Sequence, residues 1–326
     1  MTSALRLAVV GAGIMGTNHA RIAKQLPGVE LVAVVDRDLE RASAACRGSA
    51  AQAAQTVDEI TGGIDAAVVA VPTQFHLDAA MPLIEKGVHL LIEKPIAPTV
   101  ADAQAIIDAA EKAGVVLAIG HIERFNAAVA ELPHFIDQPI HIEASRLGSY
   151  SSRVLDGVIF DLMIHDIDIV LSLLGDDEVT HIGGIAQAVR SESEDIATAT
   201  LRFTNGVTAT LNTSRLAQQK IRMLEITQAD SAIAADLLRR DVTIYRMSRQ
   251  EYLSDEGTRY RQSSVVEIPF LETAGEPLAL ELAHFAECVR TGATPRCDGR
   301  AGLRALALAT DITRAIAPFN PHLGVS

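Results

Sequence analysis

The chain has 326 residues, 48% of them hydrophobic and 21% charged, which is enough for two domains with cores of their own and is the balance of a folded globular protein. A formal net charge of −13 and the lack of any run of five basic residues argue against a nucleic-acid partner, and no apolar stretch reaches the ~18 residues of a membrane span. Cys46, Cys288 and Cys297 share no C-x-x-C spacing, and the short apolar run after Arg6 is cut off by glycine, so no disulfide framework and no signal peptide are expected and the setting is read as cytoplasmic.

The first third alternates β-rich runs with Ala-rich helical segments. Strands are predicted at Leu5–Val10, Glu30–Val35, Ala66–Val71, His89–Ile92 and Val115–Ile119, and helices at Gly13–Gln25, Leu39–Arg47, Gln74–Lys86 and Val100–Ala113. Strands that are almost wholly apolar, each followed by a helix, imply a parallel sheet covered on both faces. After about Ile122 the rhythm changes. A strand at Ile140–Leu147 and an apolar helix around residues 158–174 are followed by strands at Val179–Val189, Ala197–Phe203, Val207–Ser214, Arg222–Thr227 and Val242–Met247. Thr204-Asn205-Gly206 carries the Asn-Gly hairpin signal. Helices at about Pro277–Thr291 and Gly299–Ala317 close the chain. The fold class is therefore α/β, a doubly wound parallel sheet over residues 1–121, followed by an α+β domain over 122–326 with a large, mostly antiparallel sheet.

Three local clusters carry chemistry in the first domain. The strand Leu5–Val10 runs into Gly11-Ala12-Gly13-Ile14-Met15-Gly16 and then a helix, and Asp36 ends the second strand twenty residues after Gly16. In that context G-x-G-x-x-G reads as a dinucleotide site. Gly11 allows the tight turn, Gly13 the approach of a pyrophosphate, and Gly16 close helix–strand packing, with the phosphates over the helix N-terminus. Asp36 is suited to a ribose 2′-hydroxyl and would repel a 2′-phosphate, which favours NAD; Arg37 beside it keeps NADP open. The second cluster is Val71-Pro72-Thr73-Gln74-Phe75-His76 at the carboxyl end of the third strand, where Thr73 is expected to cap the next helix and where cofactor contacts by Val71, Pro72, Thr73 and His76 are expected. The third is Glu93-Lys94-Pro95, a lysine leaving a buried strand at the same edge with a proline biasing it towards extended backbone; Glu93 and Lys94 are expected near the cofactor.

In the second domain, a helix through Asp161-Leu162-Met163-Ile164-His165-Asp166-Ile167-Asp168 would put Asp161, His165, Asp168 and Ser172 on one stripe of an otherwise apolar surface. Ionisable groups so placed are paired, bound or working. Carboxylate and imidazole at helical spacing also suit a divalent metal. A lysine serving the same oxygen duplicates a metal's task, so no metal is expected.

The glycine loop, Glu93-Lys94-Pro95 and Asp161-x-x-x-His165-Asp166, in this order and over essentially the whole chain, resemble the Gfo/Idh/MocA family of NAD(P)-dependent sugar and cyclitol dehydrogenases. The resemblance implies a Rossmann domain followed by a domain whose open sheet serves as the face of a homodimer or homotetramer. It also implies Lys94, Asp161 and His165 as the catalytic set. A narrower resemblance, to the branch acting on the 3-hydroxyl of a UDP-N-acetylhexosamine, rests on Gly120-His121-Ile122-Glu123-Arg124-Phe125-Asn126 and on Arg146-x-Gly148 through Ser152-Arg153. Ala127 and Ser152 stand where that branch usually has proline. On this reading His165 is the base, its kind of side chain titrating near working pH, Asp161 orients its ring, and Lys94 hydrogen-bonds the reacting oxygen; whether Lys94 or His165 moves the proton stays open. Arg124 and Asn126 would face substrate. Arg146 and Arg153 would meet a diphosphate or serve structurally. The alternatives are a free cyclitol or monosaccharide dehydrogenase and a non-catalytic NAD-binding regulator.

Overall fold

The computed structural model describes residues 4–150, 156–254 and 257–317. In chain order its strands and helices are β1 (Leu5–Val10), α1 (Ile14–Ala23), β2 (Val29–Val35), α2 (Leu39–Cys46), β3 (Gln52–Ala54), β4 (Ala66–Val69), α3 (His76–Glu85), β5 (His89–Glu93), α4 (Val100–Ala113) and β6 (Leu117–Gly120). They continue with α5 (Ala127–Glu131), β7 (His141–Leu147), α6 (Ile164–Leu174), β8 (Val179–Gln187), β9 (Ile196–Phe203), β10 (Thr208–Ser214), β11 (Ile221–Thr227), β12 (Ser231–Asp236), β13 (Asp241–Ser254), β14 (Gly257–Glu267), α7 (Pro277–Thr291) and α8 (Gly299–Ala315). The described residues form two compact units, one from 4–125 with 275–307, the other from those within 126–274 with 308–317.

The first unit holds a six-stranded parallel sheet in the order β3-β2-β1-β4-β5-β6. The strand order reverses between β1 and β4, which makes the carboxyl ends of those strands the ligand-binding edge of such a sheet. Helices cover the sheet, so its strands are apolar throughout: Leu7, Ala8, Val9, Ala66, Ala67, Val68 and Val69 have no exposed surface. Local signals set the helix ends. Asp38 accepts from the N–H groups of Glu40 and Arg41 at the start of α2, Thr99 accepts from Asp102 N at the start of α4, and left-handed Gly114 closes α4.

The first unit departs from the predicted 1–121 span. It runs on to Phe125 and takes back residues 275–307, because Leu278, Leu282 and Phe285 of α7 share a core with Ala20, Ile22 and Ala23 of α1. An apolar helix stripe states that it needs a partner, not which one. β3, only three residues long, gave no periodic signal.

The second unit holds an eight-stranded sheet, β14-β13-β12-β11-β7-β10-β9-β8, antiparallel except for the β7–β10 pair. Asn205-Gly206 makes the β9–β10 hairpin as expected, with Gly206 at φ +87° and Asn205 Oδ1 accepting from Val207 N. One face of the sheet is packed: Ile142 and Ala144 of β7, Ala197, Ala199 and Leu201 of β9, and Leu211 of β10 are buried. The other carries Glu143, Thr200 and Glu225, all exposed. β12 and β14 were not predicted; β12 reads Ser-Ala-Ile-Ala-Ala-Asp, whose alanines favour no strand on their own. The three cysteines are buried and free.

Candidate active site

The glycine loop has the geometry a dinucleotide phosphate needs. Gly11 sits at φ +98°, and a Cβ there would lie 2.6 Å from the carbonyl oxygen of Ala70, so two independent constraints exclude a side chain. A Cβ on Gly16 would collide with the carbonyl of Gly11 and touch Val9 at 3.4 Å, the close approach of helix to strand anticipated for it. Gly13 is exposed with open space where its Cβ would be, and it begins α1 with no side-chain cap. The first N–H groups of α1, next to Ile14 and Met15, are therefore left for an anion. These residues fit a bound NAD pyrophosphate.

Asp36 is held in place by the loop it serves. Its Oδ2 accepts from Ala12 N at 2.7 Å and its Oδ1 from Asp38 N at 2.9 Å, leaving further lone pairs for a ribose hydroxyl. Arg37 lies 5.2 Å over the ring of Phe75, itself exposed, so the guanidinium forms an aromatic-stacked ledge. Phe75 was not singled out in the sequence.

The next two clusters differ from expectation in the Thr73 cap and in the direction of His76 and Glu93. Thr73 is half-buried and caps nothing: it opens a short 3-10 turn, Thr73–Phe75, and α3 begins after Phe75 without a side-chain cap. Pro72 is exposed and Val71 half-buried, but His76 is 1% exposed and turns inward. Its Nδ1 lies 3.0 Å from the carbonyl oxygen of Pro95 and 3.2 Å from that of Ile96, while Nε2 lies 2.9 Å from that of Val71. His76 thus ties the loop after β4 to the loop after β5 instead of reaching a cofactor. The Lys94-Pro95 peptide between them is cis, and Lys94 is half-buried. Glu93 also points inward, its Oε1 2.8 Å from His19 Nε2, its carboxyl against Gly120, where a Cβ would lie 3.1 Å from Oε2. Burial works to raise the pKa of Glu93, but His19 and the charge of Lys94 outweigh it and hold the carboxyl below its usual range. His19 and Glu281, both buried, were missed; His19 is the third residue after Gly16, and Glu281 interrupts the stripe Leu278, Leu282, Phe285.

In the second unit the polar helix is not regular. Residues Ile159–Met163 form a π-helical turn before α6, an insertion that shifts Asp161 relative to the rest of the expected stripe. Asp161 and His165 are half-buried, whereas Asp168 is buried. The entry to this turn is anchored from β9's side: Glu194 Oε1 accepts from Ile159 N at 3.1 Å, Val158 N donates to the Glu194 carbonyl at 3.0 Å, and a Cβ on Gly157 would overlap the Glu194 carboxylate. Arg215 reinforces the anchor, donating from Nε to Asp195 at 2.6 Å and from Nη1 to the Asp156 carbonyl at 2.7 Å.

Two expected substrate contacts are spent inside the second unit. Arg146, 2% exposed, donates from Nε and Nη2 to the carboxylate of Asp166 at 2.7–3.1 Å, a buried bidentate pair joining β7 to α6. Asn126 caps α5 through Ala128 N at 3.2 Å and donates to the Leu237 carbonyl at 2.9 Å. Arg124 is half-buried in the 3-10 turn Ile122–Phe125, its carbonyl held by Arg296 at 2.9 Å. Arg153 lies outside the described residues.

Comparison with known proteins agrees with this layout. Family models described as "Oxidoreductase family, NAD-binding Rossmann fold" and "Oxidoreductase family, C-terminal alpha/beta domain" match residues 5–121 and 152–320. A UDP-N-acetylglucosamine 3-dehydrogenase of Acidithiobacillus ferrooxidans is 32% identical over 97% of this chain and 98% of its own. A solved structure of that enzyme superposes with a TM-score of 0.85 over 97% of this chain and 98% of that one, at 31% identity. A scyllo-inositol 2-dehydrogenase (NAD(+)) of Bacillus subtilis is 30% identical over 90% of this chain and 89% of its own. A levoglucosan dehydrogenase solved with NADH and L-sorbose shares the fold at a TM-score of 0.82 and 18% identity. The chain is an oxidoreductase of the Gfo/Idh/MocA family, with an NAD-binding Rossmann domain followed by the family's C-terminal α/β domain.

Proposed function

We propose that this dehydrogenase oxidises the 3-hydroxyl of a UDP-N-acetylhexosamine, with Lys94, Asp161 and His165 as its catalytic groups. The observation that carries the reading is the near end-to-end similarity to a UDP-N-acetylglucosamine 3-dehydrogenase in a chain that keeps all three side chains. Bound NAD supplies the hydride acceptor. Gly11, Gly13 and Gly16 cradle its pyrophosphate and Asp36 its adenosine ribose. His165 takes the hydroxyl proton, and Asp161, one turn away, orients the ring and stabilises it once charged. Lys94 donates to the reacting oxygen as negative charge develops there. The open face of the eight-stranded sheet joins copies of the chain into a homodimer or homotetramer.

A second reading, oxidation of a free cyclitol or monosaccharide, is favoured by one finding: Arg146, the expected diphosphate ligand, is committed to Asp166. The deciding experiment is turnover of UDP-N-acetylglucosamine against myo-inositol with NAD and with NADP, followed by absorbance of the reduced nicotinamide. Turnover of the nucleotide sugar alone supports the first reading; turnover of inositol alone replaces it with the second. His165→Ala should lower turnover by about two to four orders of magnitude, the usual scale of acid–base catalysis, while NADH binding persists. Near-normal turnover in that variant would remove His165 from the mechanism.

A further inference from the structure

Behind Lys94 lie three ionisable side chains for which dinucleotide binding has no use. His19 on α1 has no exposed surface, Glu93 at the end of β5 is 9% exposed, and Glu281 on α7 is 2% exposed. α1 and α7 pack on each other through the apolar core that Leu278, Leu282 and Phe285 share with Ala20 and Ala23. In that core three polar atoms lack a hydrogen-bonding partner: Nδ1 of His19 and both carboxyl oxygens of Glu281. Their needs are complementary. With Nε2–H of His19 donating to Glu93 at 2.8 Å, Nδ1 of a neutral ring is an acceptor with nothing to accept. Burial and the nearby charge of Glu93 push the Glu281 carboxyl well above its usual range, so it keeps a proton and is a donor with nothing to receive it. The two residues are buried on helices that pack on each other, and Glu281 feels the charge of Glu93, the partner of His19, so the relay asks for a side-chain rotation or a bridging water to join them. A buried carboxyl without partners is costly to keep, and glutamine or leucine of similar size would avoid its ionisation, so its presence on an apolar stripe asks for a use.

We propose that Glu281, His19 and Glu93 form one buried hydrogen-bonded relay, Glu281 O–H to His19 Nδ1 and His19 Nε2–H to Glu93, which fixes an anion behind Lys94 and so keeps that lysine an ammonium. Two protons serve three groups, and the single negative charge left rests on Glu93, next in sequence to the cation it steadies. His19 and Glu281 are positioning residues: they act on Lys94 through Glu93. Titratable or charged side chains on the elements around the relay also include Lys94 itself, Arg21 on α1, His89 on β5, His76, Asp78 and Glu85 on α3, His121, Glu123 and Arg124 after β6, and His284, Glu287, Cys288 and Arg290 on α7. The relay rests on the reading of Lys94 as the donor to the reacting oxygen, but its test does not need a substrate.

The test uses the full-length protein and two variants, Glu281→Leu, which cannot donate, and Glu281→Gln, whose amide N–H can. Acylation of Lys94 across a pH series, read by peptide mass spectrometry, reports when the lysine loses its proton. Glu281→Leu should move that point down by about one pH unit, the scale on which a neighbouring charge shifts an ionisation, and Glu281→Gln should leave it near the wild-type value. Infrared difference spectra in H2O and D2O near neutral pH should show the carbonyl stretch of a protonated carboxyl group in the wild type and lose it in both variants. A folded Glu281→Leu protein with raised thermal stability and an unshifted Lys94 would overturn the relay. So would a wild-type spectrum without that band, which covers the case in which the leucine variant fails to fold. Should the nucleotide sugar and myo-inositol both fail as substrates, the catalytic reading falls while the lysine shift and the infrared band still decide the relay.

Discussion

At Asp36 the carboxylate is already gripped by two main-chain N–H groups, one of them from the glycine loop. A carboxylate held there would accept from a 2′-hydroxyl and repel a 2′-phosphate. Arg37, stacked on Phe75, is engaged elsewhere. Asp36→Ala should weaken NADH binding by about tenfold or more, the value of one charge-assisted hydrogen bond, and should narrow the gap to NADPH. Calorimetric titration with both cofactors checks this; an unchanged ratio of affinities takes Asp36 off the ribose. Arg146 teaches the opposite lesson. Its residue type suited a phosphate, yet its partner is a carboxylate 20 positions later that tertiary packing alone supplies. Arg146→Met strands Asp166 as a buried charge and should cost about 3–5 kcal/mol, with Arg146→Met/Asp166→Leu regaining most of it. Urea denaturation of the two proteins tests the pair, and a rise in KM at unchanged stability would return Arg146 to the substrate. The tight turn at Gly11, the helix–strand contact at Gly16 and the place of Asp36 at the end of β2 were legible because a loop and a strand end are local. His76, Asn126 and Arg146 were not, since each side chain is claimed by carbonyls or a carboxylate brought in from another element.

On the scale of elements, β1, α4 and α7 coincide with their predicted spans because local signals mark them: an unbroken apolar run before Gly11, Thr99 and Gly114 around α4, and Pro277 and Gly292 around α7. The helix bearing Asp161 and His165 was legible as an element but not in its phase. A π-turn has no sequence signature, and what supports this one comes from the loop before β9. There, Asp195 accepts from the N–H groups of Val189, Arg190 and Ser191 and from Arg215, while its neighbour Glu194 holds Ile159 N. Burial tends to raise the pKa of Asp195, but the Arg190 N–H, the Arg215 guanidinium, the Val189 N–H and the Ser191 hydroxyl outweigh it and leave the carboxyl far below the usual range. A depressed folded-state value stabilises the fold at pH above the unfolded value of about 4, and that contribution fades as pH falls through the folded value. Asp195→Asn should therefore lose on the order of 3 kcal/mol at neutral pH, with a gap to the wild type that begins to narrow as pH falls below about 4. Urea midpoints between neutral pH and pH ~3 measure the gap; a gap that stays constant with pH would contradict an anionic anchor.

For the molecule as a whole, the sheet of the second unit presents a face that the chain itself leaves open. Along that face Ile185 is 69% exposed and Tyr245 47%, each beside a residue buried on the other face, Ala186 and Ile244, and Val266 on the edge strand is 56% exposed. Glu143 and Glu225 stand directly opposite each other in register there, an arrangement that costs energy unless positive charge or a partner surface covers it. Exposed large apolar side chains rimmed by polar ones mark an association surface, and a two-fold contact needs only one such face per copy. The period-2 pattern of these strands already showed that one face was polar; which polar face meets another copy is a property of the assembled sheet and lies beyond any single strand. Light scattering on the eluted protein should give a dimer or tetramer. Ile185→Arg combined with Tyr245→Arg should shift it towards monomer while leaving NADH binding intact, since the glycine loop and Asp36 belong to the other unit. A wild-type protein that is monomeric at micromolar concentration, or a doubly substituted one that elutes unchanged, would move the interface off this face.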